Sequence, residues 1–269
     1  MKILLLGGTS LLADIAIMLI KMPSMNHLHV VLSPRHAKEL TPGGKTFVDS
    51  LTDMLACEAA HCSYDIIVAS SIDDNIFSER ATSSNLTLSI SAAWIYKQRH
   101  IALAGKIYQL HNTLLPAYRG GASFSWMILS GQRFAATNLF LVDEGIDTGK
   151  IVLSRPYLFP PECTKPKHFM DYSAKMSIEH LSEFLRIVVE NGDSDFLSEP
   201  RTQPEELSSY YPRLRSEVNG CINWGWTVSQ IERFIRAFDD PYAGAFCRLT
   251  GRVEKVILKD VSILPSAFE

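Results

Sequence analysis

Short apolar runs, each closed by a turn, most constrain what this chain can fold into. They occupy residues 2–6, 29–32, 65–69, 86–90 and 106–110. Runs this short, rich in Ile, Leu and Val and lacking strict alternation, suit strands buried on both faces. Helical patterns or loops separate them, beginning with residues 11–20, which are apolar nearly all round. This order predicts a doubly wound α/β fold, a mainly parallel sheet with helices on both faces. A chain of 269 residues that is 46% hydrophobic can bury a core of that size.

The pattern continues downstream. Residues 121–130 have helical composition, 137–142 and 150–158 read as strands, and Phe169, Tyr172, Met176, Leu181, Phe184, Leu185 and Val188 form a stripe at helical spacing. Asn191-Gly192 suits the end of that helix. Residues 193–206 turn polar with two prolines, which predicts a boundary between a catalytic domain at 1–192 and a small α+β unit at 193–269. In the latter, Thr227-Val228-Ser229-Gln230 is a capping-box pattern, and Val228, Ile231, Phe234, Ile235 and Phe238 continue it. Asp239-Asp240-Pro241 ends the helix. Residues 252–258 and 261–264 are expected to close the chain as a hairpin. Trp224, Phe234 and Phe238 are expected to fill a small core, with Arg236 as a helix-to-core ion pair.

Bulk chemistry excludes several functions. The net charge is −3, which argues against a nucleic-acid partner. No stretch is long and apolar enough for a membrane span. The N-terminal apolar run is broken by Gly7-Gly8-Thr9, unlike a signal peptide. Five cysteines, none in a CxxC pair, suit a reduced cytoplasmic setting. Cys57, His61 and Cys62 are poorly spaced for zinc, so no metal is expected. No GxSxG elbow supports a serine hydrolase.

Two segments carry chemistry. On a strand, Gln109 and His111 face the same side and point to the sheet's carboxyl edge, where ligands bind in open α/β sheets. Pro116 and Gly120-Gly121 break regular structure and let backbone N–H groups approach a ligand. Asp147 stands in a second turn, at 143–149. An amide can donate to an oxyanion, an imidazole can move the proton of an attacking amine, and a carboxylate can orient that imidazole. Together they describe acyl transfer without a covalent enzyme intermediate. Apart from these segments, Gly7-Gly8-Thr9-Ser10 lies between strand and helix. It is not a GxGxxG, and it reads as a tight turn, a phosphate contact through Gly8 and Thr9, or a nicotinamide site.

The segments His-Asn-Thr-Leu-Leu-Pro-Ala-Tyr-Arg-Gly from His111 and Asp-Glu-Gly-Ile-Asp-Thr-Gly from Asp143 resemble the signatures of formyltetrahydrofolate-dependent formyltransferases. The family pattern is Asn-x-His-x-Ser/Thr-Leu-Leu-Pro followed by a loop containing Asp-x-Gly. The resemblance runs in order over residues 1–151. It implies a catalytic trio of Gln109, His111 and Asp147, with Gln109 in the place of the family Asn. Gln keeps the amide and is one methylene longer. A tolerated variant, an engineered change and a chain that binds without catalysing all fit this departure.

The C-terminal segments Tyr210–Arg213, Asn219–Trp224 and Ile235–Phe246 are similar to those of the sugar N-formyltransferases in this family. This implies transfer of the formyl group of 10-formyltetrahydrofolate to the amine of a nucleotide-linked amino-deoxysugar, dTDP- or GDP-linked, as in O-antigen or related glycan precursors. Ser91, Trp94, Val142, Asp143, Gly145 and Ile146 are implied on the folate side, with Trp94 equally readable as a core aromatic. Gly8, Thr9, Thr113, Arg119, Gly120, Gly121, Tyr211 and Arg213 are assigned to the acceptor. A homodimer is compatible with the resemblance. A formyltetrahydrofolate hydrolase, a methionyl-tRNA formyltransferase-like enzyme and a non-catalytic ligand-binding protein are the alternatives.

Overall fold

The structure is a computed structural model that describes residues 1–59, 61–73, 75–191, 200–248, 251 and 254–264. Its centre is a seven-stranded sheet built from β1 (Lys2–Gly7), β2 (His27–Leu32), β3 (Ser63–Val68), β4 (Leu86–Ile90), β5 (Ile107–His111), β7 (Phe134–Leu141) and β8 (Ile151–Leu158). The order is β3-β2-β1-β4-β5-β7-β8. β1 to β5 are parallel, and β7 runs antiparallel to β5. The doubly wound, mainly parallel α/β architecture is therefore present.

Burial explains the unbroken apolar runs. All five residues of β4 are buried, as are residues 3–7 of β1. Leu4 and Leu6 face a cluster that includes Val31, Phe77, Ala81, Tyr96 and Ile107. Phe77 and Ala81 belong to α4 (Asn75–Ser83), which packs beside α5 (Gln98–Ala104). Ile3 and Leu5 alternate to the opposite face, where they too are fully buried. α1 (Thr9–Ile20), which touches β1 and β4, packs with α3 (Phe47–Glu58).

The chain divides into two compact units that interleave in sequence. One comprises Met1–Asn112, Thr137–Arg155 and Met176–Pro204; the other comprises Thr113–Ala136, Pro156–Lys175 and Glu205–Glu269. In the second, α6 (Ser123–Ser130) packs on α9 (Val228–Ala237), and Ser125 Oγ donates to the Ala237 carbonyl at 2.7 Å. The capping box forms as read, with Thr227 accepting from the Gln230 amide and Gln230 reaching back to Thr227. Asp239-Asp240-Pro241 does follow the helix end at Phe238. The long stripe forms α7 (Pro166–Asn191). Its expected cap at Gly192, and residues 193–199 of the expected linker, lie outside the described residues.

Three expectations for the C-terminal region need correction. The hairpin pairs β10 (Ala245–Arg248) with β11 (Lys255–Leu258), not residues 252–258 with 261–264. Residues 252 and 253 lie outside the described residues. The better partner for β11 was the Ala245-Phe246 segment, whose side chains are buried. Trp224 is 58% exposed and fills no core, whereas Phe234 and Phe238 are buried and pack at 4.9 Å. Arg236 pairs with Glu232 one turn back on its own helix.

Candidate active site

Strand register assembles the catalytic candidates. β4 and β5 align Ser89 with Gln109, and β5 and β7 align His111 with Asn138. Within β5, Gln109 and His111 are half-buried, while Tyr108 and Leu110 are buried on the other face. That alternation places both polar side chains on one face at the strand's carboxyl end. The loop after β7 then delivers Asp147, which is buried and has φ +56°.

Gln109 Nε2 donates to Asp147 Oδ1 at 3.0 Å. His111 Nδ1 stands 3.8 Å from Asp147 Oδ2. The second distance is too long for a hydrogen bond and short enough for an ion pair. With a neutral imidazole the attraction is small. With an imidazolium the gross Coulomb term at this separation is about 4 kcal/mol at an effective dielectric near 20. The carboxylate is therefore placed to stabilise the charge His111 acquires when it takes a proton. The structure brings all three members of the expected trio together.

Residues missed by sequence reasoning hold the trio in place. Buried Gln203 donates through Nε2 to the carbonyls of Asp147 at 2.9 Å and Gly149 at 2.7 Å. Asn138 Nδ2 donates to the His111 carbonyl at 3.2 Å, and Ser154 Oγ donates to Asn138 Oδ1 at 2.8 Å. Asp143 Oδ1 accepts from Gly145 N at 3.1 Å and Thr148 Oγ1 at 2.5 Å, an Asx-type turn that shapes the loop. Asn112 is engaged elsewhere, its Oδ1 accepting from Ser177 Oγ at 3.0 Å. No local motif marks Gln203, because its role exists only through loop contacts more than 50 positions away. Gln203→Leu is expected to destabilise the protein by about 1–3 kcal/mol, since two buried carbonyls lose their donor. It is also expected to lower kcat by loosening Asp147; equal stability in urea unfolding would contradict the clamp.

The folate-side candidates lie on the loop after β4 and on the loop after β7. Trp94 and Val142 both pack against the cluster that holds Tyr96 and Ile107. Ser91 takes φ +54°, and Ile146 is 48% exposed. Asp143, Gly145 and Ile146 are all exposed on the loop that carries Asp147. At the glycine turn, Gly8 N donates to the Ile90 carbonyl at 3.2 Å, and a Cβ on Gly8 would meet the His36 ring at 2.3 Å. The Gly8 amide is thus engaged within the fold, leaving half-buried Thr9 as the more open group of that pair.

The acceptor candidates of the second unit also converge. β6 (Arg119–Gly120) pairs with β9 (Tyr210–Tyr211), and Gly121 N donates to the Tyr211 carbonyl at 2.9 Å. Gly120 has φ +100°, and a Cβ there would lie 2.3 Å from the Tyr211 carbonyl, so glycine is required for this close approach. Tyr211 stacks on Tyr118 at 4.7 Å, which covers one ring face. Arg213 is exposed beside Gly121. Buried Thr113 Oγ1 donates to the Tyr118 carbonyl at 3.2 Å. Arg119 is buried and donates to Glu205 at 2.8 Å, a hydrogen bond that holds the Glu205 carboxyl below its ordinary range.

An amide, an imidazole and a carboxylate thus meet at a strand end of this sheet, an arrangement suited to acyl transfer. Residues 95–167 match the formyl transferase family model, and residues 215–269 match the formyl transferase C-terminal domain model. The chain therefore carries regions similar to both domains of the formyl transferases. It is 35% identical over 137 residues to the methionyl-tRNA formyltransferase of Ruminiclostridium cellulolyticum, covering 51% of this chain and 41% of that protein. The match thus spans less than half the length of that relative. Among solved structures, a sugar N-formyltransferase from Shewanella sp FDAARGOS_354 superposes with a TM-score of 0.73 at 14% identity, covering 99% of both chains. The N-formyltransferase from Helicobacter canadensis in complex with folinic acid and dTDP-3-aminofucose gives 0.63 at 16% identity, covering 88% of this chain and 80% of that one.

Proposed function

We propose that this chain transfers the formyl group of 10-formyltetrahydrofolate to the primary amine of a nucleotide-linked 3-amino- or 4-amino-deoxysugar. The observation that carries the reading is the convergence of Gln109, His111 and Asp147 at the carboxyl end of β5. The cosubstrate supplies an activated formyl carbon for amine attack. His111 accepts the amine proton, Asp147 stabilises the resulting imidazolium, and the proton passes to the folate N10 as its bond to the formyl carbon breaks and tetrahydrofolate leaves. Gln109 occupies the position from which an amide N–H reaches the oxygen that gains charge. The reaction needs no metal.

The residues fit such a cosubstrate. Half-buried Trp94 and Val142 offer apolar surface, and the residues of the loop at 143–146 are exposed. Ser91, Trp94, Val142, Asp143, Gly145 and Ile146 are proposed to hold the folate. Gly8, Thr9, Thr113, Arg119, Gly120, Gly121, Tyr211 and Arg213 are proposed for the nucleotide sugar, where Tyr211 suits a base and Arg213 a pyrophosphate. A catalytic domain is assigned to residues 1–192 and a small C-terminal subdomain to 193–269. A cytoplasmic homodimer without nucleic-acid or membrane partners completes the proposal. Among the described residues, no helix is long and apolar enough to cross a membrane.

Full-length similarity to a sugar N-formyltransferase supports the sugar acceptor. A second reading, formylation of methionyl-tRNA, is favoured by the sequence relatives. Mass analysis of products with 10-formyltetrahydrofolate and dTDP- or GDP-linked amino sugars separates them. An N-formyl sugar supports the proposal. Formyl-methionyl-tRNA, formate released without an acceptor, or binding with no product would each overturn it.

Gln109 now has a defined cost. Its amide is held by Asp147, so part of its donor capacity is spent on the carboxylate. Gln109→Asn withdraws the amide by one methylene and is expected to raise kcat by about tenfold, a fraction of what one oxyanion donor contributes. An unchanged or lower rate in steady-state assays would show a site built around Gln.

A further inference from the structure

β3 is one of the two edge strands of the sheet, and its register with β2 sets His27 opposite Ser63 and His29 opposite Asp65. Residues two apart on a strand share a face, so these four side chains project on one side. His27 Nε2 lies 2.8 Å, and His29 Nδ1 2.5 Å, from the same oxygen, Asp65 Oδ1. The imidazole centroids are 4.2 Å apart. All three side chains retain access to solvent, at 24%, 13% and 30% exposure. The formyl-transfer reading uses none of them.

Two neighbours orient the cluster. His27 Nδ1 is bonded to Ser63 Oγ at 2.6 Å, which turns Nε2 toward Asp65. An oxygen partner on the second ring nitrogen is how metal-ligating imidazoles are held. Arg80 Nε and Nη2 both donate to Asp65 Oδ2, at 3.3 and 3.2 Å. That leaves Oδ1 directed at the two imidazoles.

We propose that His27, His29 and Asp65 form a binding site for a divalent transition cation of the zinc type, which clips the edge strand β3 to β2. Two imidazole nitrogens and one carboxylate oxygen match the donor preferences of Zn²⁺, with a fourth position open to water. Bonds of about 2.0–2.1 Å in a tetrahedral site set ligand atoms about 3.3–3.4 Å apart. The present separations of 2.5 and 2.8 Å therefore open by about 0.5–0.9 Å as the cation displaces the shared protons. Small side-chain rotations supply that movement in partly exposed groups. The Arg80 charge beside Asp65 opposes the cation, so the affinity falls below that of thiolate-rich structural sites.

The full chain, stripped with a chelator, is titrated with Zn²⁺ by calorimetry and with Co²⁺ by absorption. One saturable equivalent, a raised Tm and cobalt bands without thiolate charge transfer are expected. His29→Ala and Asp65→Asn should each weaken binding by about tenfold or more. No saturable binding, thiolate bands from Cys57 or Cys62, or unchanged affinity in both variants would overturn the site. If either variant fails to unfold cooperatively, the wild-type titration and cobalt spectrum decide. Formyl transfer is not among the readouts, so failure of the catalytic proposal leaves this test intact.

Discussion

His111→Asn is expected to lower kcat by about 10²- to 10⁴-fold, the range that a positioned acid–base group contributes, while the Kd for the nucleotide sugar changes little. The amide side chain keeps some polarity but cannot accept the amine proton. Asp147, 3.8 Å away, then has no imidazolium to stabilise. Single-turnover rates with 10-formyltetrahydrofolate and a dTDP-linked amino sugar measure the loss, and calorimetry measures the binding. Turnover near wild type would remove His111 from the mechanism. Loss of both turnover and binding would make it a structural residue instead.

Gly149→Ala is expected to destabilise the protein by about 3 kcal/mol or more, at the upper end of overpacking effects. A Cβ at Gly149 would sit 1.6 Å from the Leu141 carbonyl oxygen and 3.2 Å from the Phe140 ring. Backbone must move, because the nearest atom is main chain at the end of β7. The Gln203 bond to the Gly149 carbonyl would shift with it, and that bond also anchors Asp147. Gly43→Ala is the control: nothing lies within 4 Å of its added carbon, so the change should stay within about 0.5 kcal/mol. Equal denaturation midpoints for the two variants would contradict the packing argument.

The order of strands and helices was legible because its signals are local. β4 appears where the apolar run stands, and the helix after Thr227 starts on its capping box. The sites at Gln109, His111 and Asp147 were legible for a related reason: strand alternation fixes which side chains share a face, and glycine-rich turns mark where strands end. Trp224 and the closing hairpin were misread, because an aromatic residue or a short β-branched run does not reveal its partner. Gln203 was unreadable, as a polar residue within a polar stretch.

By itself, then, the sequence determined the α/β class, the succession of elements and the pair of strand-end motifs, all written in periodicity and turn chemistry within a few residues. Only the tertiary structure decided that Gln109 spends its amide on Asp147, that Gln203 clamps the Asp147 loop, and that His27 and His29 meet Asp65 across β2 and β3. Those contacts depend on strand register and loop closure between distant segments, and a one-residue change in register would send each side chain to the opposite face.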